Sequence, residues 1–148
     1  MDIKSGCKYP ASALSNFAPH PFEFRGFKVA SMEGFLQGLK FKSKEMQAEV
    51  FTLVGKRAKF KGKKKNWKRT QTLWFQGQEI KRDSKEYQKL LDEAYDALAE
   101  NTKFKAALLA TGDAVIKHSI GRRNKSETVL TRSEFCSRLT KLRARFKK

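Results

Sequence analysis

Glu33, Gln37 and Lys40 stand at i, i+4 and i+7 of the segment Ser31-Met32-Glu33-Gly34-Phe35-Leu36-Gln37-Gly38-Leu39-Lys40-Phe41. On a helix that spacing lines up a carboxyl, an amide and an amine in one row. Met32, Phe35, Leu36 and Leu39 share the neighbouring apolar face, and Gly34 and Gly38 fall on a third. A glycine disfavours a helix by roughly 1 kcal/mol relative to alanine, so two of them four apart point to close approach of a backbone or a ligand. Two readings follow. The row is either a catalytic stripe of acid, base or nucleophile beside a cleared surface, or a solvent-facing polar row on a tightly packed helix.

The elements around this helix can be read from caps and periodicity. Pro21–Ser31 places Phe22 and Phe24 before an Arg25-Gly26 turn and Phe27 and Val29 after it, which predicts a β-hairpin. Ser31 caps the helix to about Phe41, and Ser43 caps another that runs to Gly55 with Met46, Val50 and Phe51 inward. Gly55–Arg69 reads as loop with some helix, and Leu73–Ile80 as a second hairpin. Ser84 opens an amphipathic helix with Tyr87, Leu90, Leu91, Ala94, Tyr95 and Leu98 at helical spacing. A short helix carries Phe104 and Leu108 to Gly112, and Asp113–Ile120 reads as a strand or an extended loop. Thr131 and Glu134 form a capping box for the last helix. Its Phe135, Leu139, Leu142 and Phe146 make a buried stripe, and Arg138, Lys141, Arg145 and Lys148 a separate basic face. The expectation is a single α+β domain over residues 1–148, mostly helical, with small β-hairpins.

The chain is strongly basic, with a net charge of +18 over 148 residues. Gly55–Arg69 holds nine basic residues and no acid, and Arg138–Lys148 holds six and no acid. The rest is close to neutral, so the reading is a near-neutral domain with two basic patches. Such patches attract polyanions by counterion release, which depends on salt and reads no sequence. Phe60 and Trp67 interleave the first patch, whose Lys59, Lys63, Lys64 and Lys65 are candidate nucleic-acid contacts. The plainer alternative is a solvated surface that aids solubility. The 12 Phe and 2 Trp can fill a core, which excludes a wholly disordered tail. No apolar run approaches the roughly 18 residues of a membrane span, and Met1–Tyr9 lacks the apolar block of a signal peptide, so a cytoplasmic protein is expected. Two Cys and two His scattered along the chain signal neither disulfide nor metal site, and no P-loop or GxGxxG motif is present. No cofactor is expected.

Leu14-Ser15-Asn16-Phe17-Ala18, the Ser31–Phe41 segment, Lys65-Asn66-Trp67, and Ala107–Gly112 with His118 together resemble the NADAR or YbiA-like family. The order and spacing of these pieces are specific in combination and span most of the chain. The resemblance implies a YbiA-like fold and an N-glycosidase that hydrolyses the C–N bond between a ribose and a base. It also implies two substrate branches: ribosylamino-pyrimidine phosphate intermediates of riboflavin synthesis, and ADP-ribose on guanine in DNA. The chain departs from riboflavin-type members at Thr72–Leu91, and at Ser126–Leu130, where a Trp-Gly and glycine-rich stretch would stand.

Glycosidic cleavage passes through an oxocarbenium-like state that needs a nearby negative charge or nucleophile and a proton donor for the leaving base. In that frame Glu33 stabilises the cation or activates water. Lys40 is either an amine that forms a Schiff base with the opened ribose or a cation that pairs with Glu33 or a phosphate. Ser15, Asn16 and Gln37 are candidate hydrogen-bonding groups for the substrate, and Phe17 and Trp67 are stacking platforms or core residues. Asp113 is a ribose-hydroxyl acceptor or a turn residue; His118 is a proton shuttle or a structural imidazole. Three functions compete: removal of ADP-ribose from guanine in ADP-ribosylated nucleic acid, hydrolysis of a ribosylated small molecule of the riboflavin pathway, and non-catalytic binding of nucleic acid or ADP-ribose.

Overall fold

The computed structural model describes residues 1–148. Helices α1 (Ala11–Leu14), α2 (Met32–Gly38), α3 (Lys44–Phe51), α4 (Gly55–Lys63), α5 (Lys85–Leu98), α6 (Thr102–Ala110) and α7 (Arg132–Phe146) surround two antiparallel hairpins. Strands β1 (Phe22–Phe24) and β2 (Phe27–Val29) form the first hairpin, with Phe22 opposite Val29. Strands β3 (Thr72–Phe75) and β4 (Gln78–Lys81) form the second, with Leu73 opposite Ile80. This is the α+β, mostly helical architecture expected from the sequence. Each tight hairpin turn is made by a residue pair at positive φ, Arg25-Gly26 and Gln76-Gly77, as type I′ geometry demands.

One apolar cluster of 30 buried residues joins the elements. Its aromatic centre is Phe35 of α2, which lies against Phe24 at 4.8 Å and Phe51 at 5.4 Å between ring centroids. Phe51 and Phe24 in turn meet Phe75 of the second hairpin. A phenylalanine-rich sequence thus becomes a core that fastens both hairpins to α2 and α3. The other half of the core is the α5 stripe, in which Tyr87, Leu91, Ala94 and Tyr95 are fully or almost fully buried.

The caps act as read: Ser31, Ser43, Ser84 and Thr131 each accept a hydrogen bond from the third residue onward. Glu134 completes the box on Thr131 and also takes the Arg82 guanidinium in a bidentate pair at 2.6 and 3.0 Å. Arg82 is wholly buried, and its Nε donates to the Thr128 carbonyl.

Several boundaries differ from the sequence reading. Helix α2 ends at Gly38, with Leu39 as its cap, so Lys40 lies in the turn beyond the helix. Helix α3 stops at Phe51, and it is Gln47 rather than Met46 that is buried inward. The amide of Gln47 donates to the carbonyls of Gly38 and Trp74 and accepts from Gln76 N–H, so one polar side chain ties the end of α2 to the second hairpin. Gly55–Lys63, read mainly as loop, is helix, because Ala58 and Gly62 four apart give it a small-residue face to lay on its neighbour. Asp113–Ile120 is extended loop, with a single parallel bridge from Lys117 to Asp2. On α7, Phe146 is only half-buried, and Arg143 is buried in its place by hydrogen bonds to Thr111 Oγ1 and the Ala114 carbonyl.

Candidate active site

Gly34 and Gly38 explain where the Glu33 row can point. A Cβ on Gly34 would sit 2.4 Å from the Leu53 carbonyl, and one on Gly38 would sit 2.4 Å from the Phe51 ring. The glycines therefore admit α3 and the backbone after it, not a ligand. With that face and the Phe35 face occupied, the remaining side of α2 carries Glu33 and Gln37. Helix α4 packs there, so the row is not the solvent-facing one of the plainer reading: Gln37 is buried and Glu33 half-buried.

Gln37 Nε2 donates to Glu33 Oε2 at 2.6 Å, the i, i+4 contact that the spacing announced. Gln37 Oε1 is buried without a hydrogen-bond partner. It presses on Gly62 of α4, where a Cβ would fall 1.7 Å from it. Gly62 is thus the opening through which Gln37 reaches Glu33, a role hidden within a run of lysines. On the other side, Glu33 N–H donates to the Asn16 carbonyl at 3.0 Å, and Asn16 Oδ1 accepts from Tyr95 Oη–H at 3.1 Å. Asn16 and Glu33 are therefore held together by backbone, with α5 behind them.

Burial raises the Glu33 carboxyl above its ordinary range, opposed by the Gln37 hydrogen bond and the charges of Lys40 and Lys59. Burial likewise lowers the Lys40 amine from its ordinary value to about 8; Glu33 opposes this and Lys68 adds to it. The acid and the amine each feel the other without forming a direct ion pair, and both titrate closer to neutrality than exposed counterparts. Such convergence is how a site keeps a proton donor and a nucleophile usable at one pH.

A model of the family described as "Bacteriophage protein GP30.3" matches residues 8–144. The chain belongs to that family. It is 38% identical over 148 residues to the "Uncharacterized 17.1 kDa protein in Gp30-rIII intergenic region" of Enterobacteria phage T4, covering 97% of this chain and 96% of that one. The NMR structure of the Escherichia coli protein YbiA superposes with a TM-score of 0.63 at 18% identity, covering 99% of this chain and 84% of that one. The two chains share a fold, the one expected from the motif resemblance.

Within the chain the other candidate residues separate into two groups. Ser15 and Phe17 stay beside Asn16: Ser15 Oγ accepts from Phe17 N–H, and the half-buried Phe17 ring lies next to Gly55 at the start of α4. Lys59, Lys63, Lys64 and Lys65 are all exposed on or just after α4. Trp67, by contrast, is 6% exposed and part of the core cluster, so its ring offers no stacking face. Asp113 does not join the site either; its fully exposed carboxylate pairs with Lys147 at 2.6 Å, beyond the end of α6. His118 Nδ1 is bound to the Ile3 carbonyl at 2.8 Å and its ring packs edge-on against Phe135, which holds the N-terminal segment in place. Phe135 in turn meets Tyr95, so two aromatic rings stand between His118 and Asn16, and His118 shares no partner with Glu33 or Lys40.

The basic segments also diverge. None of the nine cations of Gly55–Arg69 forms an ion pair, whereas on α7 Arg138 pairs with Asp92, Arg145 with Asp96 and Lys147 with Asp113. The second patch is largely a set of inter-element clamps, with Lys141 and Lys148 left unpaired, whereas the first is unpaired throughout. The larger open cavities, of about 670 and 440 Å³, lie at Gln71–Ser126 and at His118–Cys136, and neither includes Glu33 or Lys40. Sequence reasoning missed Gly62, Lys68 and the Tyr95 hydroxyl as parts of the site. A glycine inside a lysine run was the available signal for the first; the other two depend on tertiary packing.

Proposed function

We propose that the protein is an N-glycosidase that removes ADP-ribose from guanine in ADP-ribosylated DNA, acting through Glu33 and Lys40. The carrying observation is the joint perturbation of Glu33, which is held to Asn16 by its backbone, and of Lys40, with the cationic helix α4 packed against the Glu33 side of α2. Lys40, with a lowered pKa, supplies neutral amine to attack the anomeric carbon as the C–N bond breaks; the bond's electron pair leaves with the base, which takes a proton, and water then hydrolyses the Lys40–ribose adduct, freeing ADP-ribose and the amine. Glu33 supplies charge to the oxocarbenium-like state or takes a proton from the attacking amine or water. Gln37 positions Glu33 through one carboxylate oxygen, which leaves the other for substrate. The NADAR resemblance supports the reaction class, and the free charge of α4 favours a polymer-borne base over a free metabolite.

The experiment incubates the protein with ADP-ribosylated DNA and, separately, with the ribosylamino-pyrimidine phosphates of riboflavin synthesis, and follows products by mass spectrometry. Free ADP-ribose and restored guanine, lost in Glu33→Gln and Lys40→Met, are expected. Turnover of the pyrimidine phosphate alone transfers the chemistry to the small substrate. No release from either, or full activity in both variants, leaves a binding module and overturns the reading.

A further inference from the structure

Phe60 is 60% exposed in the middle of α4, although the face of that helix made by Ala58 and Gly62 is buried. Its helical neighbours at i±3 and i±4 are Lys56, Arg57, Lys63 and Lys64, all of them exposed and none in an ion pair. The ring is therefore covered by no apolar neighbour and sits at the centre of four unneutralised positive charges. No acid occurs from Gly55 to Arg69 to repel a polyanion.

A ligand that satisfies this surface must carry regular negative charge and an accessible flat apolar face. Duplex DNA has the first but keeps its bases stacked inside. An anionic membrane has an apolar interior, but interfacial helices enter it with a broad apolar face, and this one offers a single ring. A single strand has both, because phosphates alternate with bases that are free to stack. From the placement of Phe60 among these four cations we infer that α4 is a docking surface for single-stranded nucleic acid, with Phe60 stacking on one base and the cations on flanking phosphates. This deepens the proposed function by giving the polymer its strand state and its path along the helix.

The test uses the full chain and unmodified oligonucleotides, so it reads binding without turnover. Fluorescence anisotropy compares a labelled 20-nucleotide single strand with the same sequence as duplex, and cosedimentation tests phosphatidylserine vesicles. The single strand is expected to bind more tightly than duplex, with a slope of log affinity on log salt of about −3 for four neutralised phosphates. Phe60→Ala should weaken single-strand binding about tenfold and leave duplex binding nearly unchanged. Val115→Ala, at another exposed apolar residue, should change neither. Unaltered single-strand affinity in Phe60→Ala, tighter binding of duplex, or vesicle binding stronger than oligonucleotide binding overturns the inference. A chain that releases ADP-ribose from DNA but fails these binding tests keeps the glycosidase and loses the α4 docking surface, and a chain without turnover would still bind, so the two failures are distinguishable.

Discussion

Lys40 titrates near 8 where an exposed lysine titrates at 10.5, and that difference governs whether it can be a nucleophile. At pH 7.5 about a quarter of such an amine is neutral, against about one part in a thousand for an ordinary lysine. The largest cause is burial, opposed by Glu33. Glu33→Gln removes the opposing charge and should lower the Lys40 midpoint further; Lys68→Met removes a repelling one and should raise it. The assay is NMR titration of lysines labelled at Cε, with Lys63 and Lys64 as exposed references. Stability follows with a definite sign. Because the folded pKa is depressed, the unfolded chain binds the extra proton between about pH 8 and 10.5, so this group's contribution to stability rises with pH across that window. Below pH 8 the charged amine destabilises the fold by up to about 3 kcal/mol. Lys40→Met should therefore raise stability at pH 7 by about 1–2 kcal/mol, less than the whole because the surroundings relax around the charged amine, with the gain shrinking above pH 8. A Lys40 midpoint near 10.5, or one that rises in Glu33→Gln, would refute the reasoning.

Other residues give sharper or plainer outcomes. Gly62→Ala adds helix propensity but drives a methyl into Gln37 Oε1, so a net loss of about 1–3 kcal/mol in urea unfolding and a fall in turnover are expected. Glu134→Ala leaves the buried Arg82 guanidinium without its carboxylate and should destabilise by about 3–5 kcal/mol, read as a lower denaturation midpoint. Asp113→Ala should leave both turnover and affinity within about twofold of wild type, since its fully exposed pair with Lys147 is screened by solvent and stands apart from Glu33 and Lys40.

Local signals carried most of the fold. Four side-chain caps, two hairpin turns and the α5 stripe are each readable within a few residues, and each formed as read. The α4 helix was obscured because charge dominates its composition, and its identity rests on Ala58 and Gly62 fitting a neighbour that is remote in sequence. The same limit applied to the site. The contact of Glu33 with Gln37 is an i, i+4 relation and was legible. Whether Trp67 faces ligand or core, and whether His118 meets Lys40, depends on which elements pack together. Trp67 lies in a run of cations, between Asn66 and Lys68, yet the ring is turned inward.

The +18 charge takes on a different meaning once pairing is considered. Charge that stabilises the fold must find acids, and the acids of α5 are spaced to meet α7: Asp92 and Asp96, one turn apart, take Arg138 and Arg145. The acid that faces α4 is the half-buried Glu33, and no cation of α4 forms an ion pair, so these cations repel one another and their proximity weakens the fold unless something else gains by it. The side chains that feel this field most directly are Glu33, through Lys59, and Lys40, through Lys68. The field favours the ionised form of Glu33 and the neutral form of Lys40, which is the pairing that a carboxylate and a nucleophilic amine require. An anionic strand bound along α4 would weaken both effects and move the two groups back toward their more protonated states. Substrate-dependent shifts of the pH profile toward higher pH are therefore expected with polymeric substrates but not with small neutral ribosides, and identical profiles for the two would separate the charge of α4 from the chemistry.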